Sequence, residues 1–120
     1  MPGKENANRK ETKMNLKPFV TDLPFDQTDY FEILNKSNAA RMISGFVTLK
    51  PGEEVGIHNT EDYEELIVVL EGSGVVVTEG DGERAVRIGQ VAYNPPHSEH
   101  NVKNTGKSLL RYIYIVSNAE

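Results

Sequence analysis

The chain has no cysteine, no apolar run longer than five residues and only three histidines among its 120 residues. Without cysteine there are no disulfide staples and no thiolate metal sites, so any metal must be held by nitrogen and oxygen donors. The longest apolar stretch, Leu66–Leu70, is far too short to cross a bilayer, and we expect no membrane partner. The N-terminus is polar and basic and lacks the apolar stretch of a secretory signal, so a cytoplasmic location is the default expectation.

Basic charge is scarce outside the first residues. Residues 1–17 carry five basic and two acidic side chains, and the other 103 residues must carry −8 to reach the total of −5. An acidic body is repelled by phosphate backbones, which argues against a nucleic-acid partner. Residues 1–16 have almost nothing to bury and are expected to form a disordered basic leader; residues 17–120 are then the single folded domain.

No segment shows convincing helical periodicity. Phe19 to Phe31 mixes apolar residues with Asp22, Pro24, Asp26 and Asp29 and is expected to pack as an extended or short-strand segment. From Arg41 the pattern is all strand: 41–49, 55–59, 65–70, 74–79, 83–88, 91–94, 100–104 and 109–116, separated by turn residues. Gly80-Asp81-Gly82 between two of them is a hairpin signal. About eight short strands at such spacing predict an all-β sandwich or barrel.

The three histidines, His58, His97 and His100, fall in two boxes bounded by glycine or proline. The first places Gly52, His58, Glu65 and Gly72 at fixed separations, and the second does the same for Gly89, Pro95, His100 and Asn104. Side chains alternate along a strand, so His58 and Thr60 share a face, as do Glu65, Ile67 and Val69, and as do His100, Val102 and Asn104. Glu64 and Glu65 point to opposite faces, so only one of them can be the inward carboxylate. Asn104 and the box glycines read as turn-forming, structural residues.

The two boxes resemble the paired signatures of the cupin superfamily, written G-x5-H-x-H-x3,4-E-x6-G and G-x5-P-x-G-x2-H-x3-N. The resemblance covers about residues 40–117. It implies a double-stranded antiparallel β-helix, or jelly-roll barrel, of the small single-domain kind, with a divalent metal ion in its mouth. It also implies a homodimer, which would cover exposed sheet edges. Two anchors differ: Thr60 stands where the second histidine of the first box is expected, and His97 stands where the second box usually has glycine.

On that resemblance His58, Glu65 and His100 are the expected metal ligands. Two imidazoles and one carboxylate with open positions suit iron(II) and accommodate manganese, nickel or zinc. Thr60 is a poor ligand, and His97 is an additional ligand or a residue of the rim. Arg41, Tyr93 and Tyr112 are candidates for the pocket wall, with Phe46 and Tyr114 beside them; aromatics on such strands are more often core.

The family does not settle the reaction. One reading is a metal-dependent enzyme acting on a small polar metabolite of the sugar or keto-acid type, with His97, Tyr93 or Glu65 moving protons. The others are a non-catalytic small-ligand binder and a metal-free scaffold.

Overall fold

The computed structural model describes residues 16–120, so all but the last residue of the expected leader lies outside the described residues. Nine strands follow in order: β1 (Phe31–Leu34), β2 (Ile43–Leu49), β3 (His58–Asn59), β4 (Tyr63–Glu71), β5 (Ser73–Thr78), β6 (Gly82–Arg87), β7 (Val91–Asn94), β8 (Glu99–Lys103) and β9 (Leu110–Asn118). No α-helix occurs among the described residues. The strands form two antiparallel sheets, one ordered β1-β2-β9-β4-β7 and the other β3-β8-β5-β6. This is the expected all-β jelly-roll barrel.

Eight strands match the segments read from the sequence, with ends shifted by a few residues. The ninth, β1, begins at Phe31, the last residue of the segment expected to be extended or a short strand. Its four residues Phe-Glu-Ile-Leu carry no clear alternation, and pairing with β2 makes them a strand, with an irregularity between Glu32 and Leu34. Residues 16–30 contain no strand. They are held against the outside of the larger sheet by Arg111, which sits on β9 between the core residues Leu110 and Tyr112 and therefore points the other way. Its guanidinium donates to the carbonyls of Gln27 (2.9 Å) and Phe25 (3.0 Å) and lies over the Phe25 and Phe46 rings. Phe46, fully buried, is thus covered by Phe25 on the outer face and does not line the barrel.

Between the sheets the side chains stack in layers. Leu49, Ile67, Val69, Val76, Val86, Val102, Leu110 and Tyr112 form one apolar cluster, built from the inward-facing positions of six strands. One end of this cluster is closed by Asn104. Its amide donates to the carbonyls of Leu49 and Ser108 (2.8 Å each), and its oxygen accepts from the Gly106 N–H (2.9 Å). Nearby, Gly72 has φ +80°, and a Cβ there would collide with the Leu109 carbonyl, so only glycine fits this corner. The other end of the apolar cluster is polar and carries the site.

Because Asn104 is itself buried and bonds three backbone groups, Asn104→Ala is expected to destabilise the domain by about 3 kcal/mol, measured as a lower urea midpoint. A loss below about 1 kcal/mol would show that water replaces the amide at no great cost.

Candidate metal centre

Stepping two residues along β4 from Val69 to Ile67 to Glu65 changes the interior from apolar to acidic. The same two-residue step on β8, from Val102 to His100, and on β5, from Val76 to Thr78, brings imidazole and hydroxyl to the same level. Register makes this a layer: His100 pairs with Thr78 on one side and His58 on the other, while Glu65 pairs with Asn94 across β4 and β7. All of these except His58 are buried, Asn94 completely.

The layer is joined across the two sheets. Thr78 Oγ1 donates to Asn94 Oδ1 (2.9 Å), and Asn94 Nδ2 donates to Glu65 Oε1 (3.0 Å). The same carboxylate oxygen lies 2.9 Å from His100 Nε2, with both side chains almost wholly buried. That separation is an ion-pair contact. Burial alone would push the imidazolium pKa down. The Glu65 carboxylate and the Ser98 carbonyl outweigh it, and His100 titrates above the ordinary 6.5.

Both imidazoles are held in one tautomer. Nδ1 of His58 lies 3.0 Å from the Gly56 carbonyl, and Nδ1 of His100 lies 3.3 Å from the Ser98 carbonyl. A carbonyl oxygen can only accept, so each Nδ1 carries a proton and each neutral ring keeps its lone pair on Nε2. Pinning of the far nitrogen by a backbone carbonyl is the usual support of a metal-binding histidine. The two rings meet edge to face with centroids 3.9 Å apart, and donor atoms of His58, Glu65 and His100 lie within 4.8 Å of one another. These three residues could hold a divalent ion: a buried carboxylate and two imidazoles whose Nδ1 contacts leave Nε2 as the donor atom fit such a group.

The trio opens into a cavity of about 400 Å³, walled by Ile43, Val116 and Tyr63 and edged by Lys36, Asn59 and Glu61. Thr60 lines the cavity too, but its hydroxyl is occupied. It donates to the Pro95 carbonyl (2.7 Å) and accepts from the Ser98 N–H (3.0 Å), tying the β3–β4 loop to the diproline turn.

The other residues singled out in the sequence lie elsewhere. His97 has φ +56°, is exposed, and its Nε2 is 3.5 Å from Asp62 on the outer rim; with Glu120 these form a separate, fully exposed group. Arg41 precedes β2 and is exposed beside Tyr63, Asn118 and Glu120. Tyr112 faces inward but belongs to the apolar core, where burial drives its phenol pKa up. Tyr93 faces outward and donates to Glu64 Oε1 (2.7 Å), which also places Glu64 on the outer side. None of His97, Arg41, Tyr93 or Tyr112 lines the cavity that holds the trio. Asn94, Thr78 and Lys36 were not anticipated. Asn94 and Thr78 belong to no spacing pattern, and only register brings them to Glu65 and His100.

A two-sheet jelly roll with two histidines and a glutamate at one end of its interior defines the class of protein. The family described as Cupin domain matches residues 45–116, and the chain belongs to it. An oxalate-binding protein of Thermotoga maritima is 29% identical over 79 residues, which are 66% of this chain and 64% of that protein. The crystal structure of a predicted oxalate decarboxylase from Thermotoga maritima superposes with a TM-score of 0.60 at 26% identity, covering 63% of this chain and 65% of that one. The chain therefore spans less than two thirds of the length of either protein. A cupin with a double-stranded β-helix fold from Methanocaldococcus jannaschii superposes with a TM-score of 0.70 at 14% identity, covering 86% of this chain and 91% of its own, a likeness of fold.

With its hydroxyl already bonded on both sides, Thr60 acts as a loop tie. Thr60→Val is expected to destabilise the domain by about 1–2 kcal/mol in urea unfolding while leaving metal stoichiometry unchanged in elemental analysis. Loss of metal without loss of stability would make the hydroxyl a ligand instead.

Proposed function

We propose that this cupin is a small-ligand-binding protein in which His58, Glu65 and His100 hold a divalent metal ion, and that a small carboxylate binds there. The observation that carries this reading is the convergence of donor atoms: His58, Glu65 and His100 bring theirs within 4.8 Å of one another, with Nδ1 of each imidazole turned to a backbone carbonyl and Nε2 of His100 turned to the carboxylate. A neutral Nε2 and a carboxylate oxygen 2.9 Å apart repel unless a proton or a metal ion lies between them, and ligation would supply the ion.

The protein's own groups have separable tasks. Glu65 supplies the negative charge, oriented by Asn94, which is oriented in turn by Thr78. The two imidazoles supply neutral donors, oriented by the Gly56 and Ser98 carbonyls. Ile43 and Val116 wall the cavity with apolar surface, which limits water around a bound ligand. When bound, a divalent ion would present positive charge and open positions to carboxylate oxygens. The similarity to an oxalate-binding protein supports a short dicarboxylate such as oxalate as the ligand class. Binding without turnover is favoured because Glu65 and Thr60 are already engaged, and His97 and Tyr93 lie outside the cavity.

Metal analysis of the purified protein is expected to show one divalent ion per chain. His58→Ala and His100→Ala should each lower its affinity by at least about tenfold. Oxalate should raise the melting temperature of loaded protein and not of the His100→Ala variant. Metal content unaffected by both substitutions would refute the site, and release of formate and carbon dioxide from oxalate would replace binding with catalysis.

The pH dependence has a definite sign. The folded pKa of His100 lies above its ordinary 6.5, so without metal the pair stabilises the fold fully below 6.5 and this is lost as pH rises through the folded value. Protons compete with metal for Nε2, so stabilisation by metal should instead grow as pH rises through the same interval. Melting temperatures with and without metal check both trends.

A further inference from the structure

One cation edges the cavity, and the turn that presents it is unusually well tied. Lys36 is the only lysine or arginine among the described residues lining the cavity of the donor trio. It lies in the turn between β1 and β2, remote in sequence from both histidine boxes. Asn35 and Asn38 lock that turn from both sides. The Asn38 side chain accepts from the Asn35 N–H (2.7 Å) and donates to the Ile33 carbonyl (2.9 Å). Asn35 Oδ1 accepts from the Ser37 N–H (2.8 Å), and the Asn35 carbonyl accepts from the N–H groups of Asn38 (3.2 Å) and Ala39 (2.9 Å). Lys36 is thus carried on a backbone with little freedom left. Its ammonium has no carboxylate within ion-pair distance among the described residues.

The electrostatics of the cavity make that charge consequential. A divalent ion on the trio would more than neutralise Glu65, leaving one net positive charge at the cavity floor. Glu61, the other carboxylate in the lining, is exposed at the rim, as Lys36 is, so solvent screens both and each acts mainly on a charge in contact with it. A ligand with one carboxylate is satisfied by the floor. A second carboxylate brings a second negative charge, and Lys36 is the cation available to meet it. An ammonium on a flexible stem acts as a point charge, suited to counting charge more than to reading a fixed geometry.

We propose that Lys36 is the specificity-determining residue that selects dianionic over monoanionic small carboxylates at the donor trio. This rests on the carboxylate-binding reading above and adds a residue and a rule to it.

The test compares oxalate with glycolate, which has the same two-carbon frame and one charge fewer. Their dissociation constants are measured by calorimetry on manganese-loaded wild type, Lys36→Met and Lys36→Arg, with manganese content and melting temperature recorded for each. Lys36→Met is expected to weaken oxalate about tenfold and glycolate by less than about threefold, the difference expected from one charge-assisted contact. Lys36→Arg should keep oxalate within about threefold of wild type, since it retains the charge. Manganese content should be the same in all three. Equal weakening of both ligands, or none, would overturn the role of Lys36 while leaving the carboxylate site standing. Wild type that holds no manganese, or that holds it and binds neither ligand, would overturn the underlying reading and this inference with it.

Discussion

The contact between Glu65 and His100, 2.9 Å across two sheets in a buried layer, is the interaction around which the site is organised. Moving a carboxylate and an imidazole out of water is costly by several kcal/mol per ion unless each is met by partners. The surrounding residues meet that requirement nearly completely. Asn94 donates to Glu65, Thr78 donates to Asn94, and Thr78 is the cross-strand neighbour of His100. The result is a polar ring at one end of an otherwise apolar interior. Only the outward, exposed side of His58 leaves it open.

The two ends of the barrel interior carry polar residues of different chemistry. Buried polar groups are expected to find hydrogen-bond partners within the protein. Here the far end of the same interior does so: Asn104 uses its amide nitrogen and oxygen in three bonds. At the near end two imidazoles and a carboxylate, groups able to bind a metal ion, face a cavity instead.

Much of this was legible in the sequence because strands have a side-chain period of two. Glu65, Ile67 and Val69 had to share a face, as did His100, Val102 and Asn104, and the box separations then named the layer. What was not legible depended on which strands are neighbours. Asn94 and Thr78 meet only because β5 and β7 lie in opposed sheets. Lys36 arrives from a turn whose preceding strand, β1, exists through pairing with β2. Tyr112 and Tyr93 show the same limit from the other side. Tyr112 faces inward but sits in an apolar layer, and Tyr93 neighbours the inward Asn94 and so faces out. Thr60, in the place of an expected histidine, looked like a loss. Its bonds to Pro95 and Ser98 make it the tie that holds the β3–β4 loop to the diproline turn.

The most direct test is the location of the ion itself. Crystals grown with manganese or zinc and measured at the metal's absorption edge should show one anomalous peak per chain, with bonds of about 2.0–2.2 Å to Nε2 of His58, Nε2 of His100 and a carboxylate oxygen of Glu65. No peak there at saturating metal, or a peak confined to Asp62, His97 and Glu120, would contradict the account.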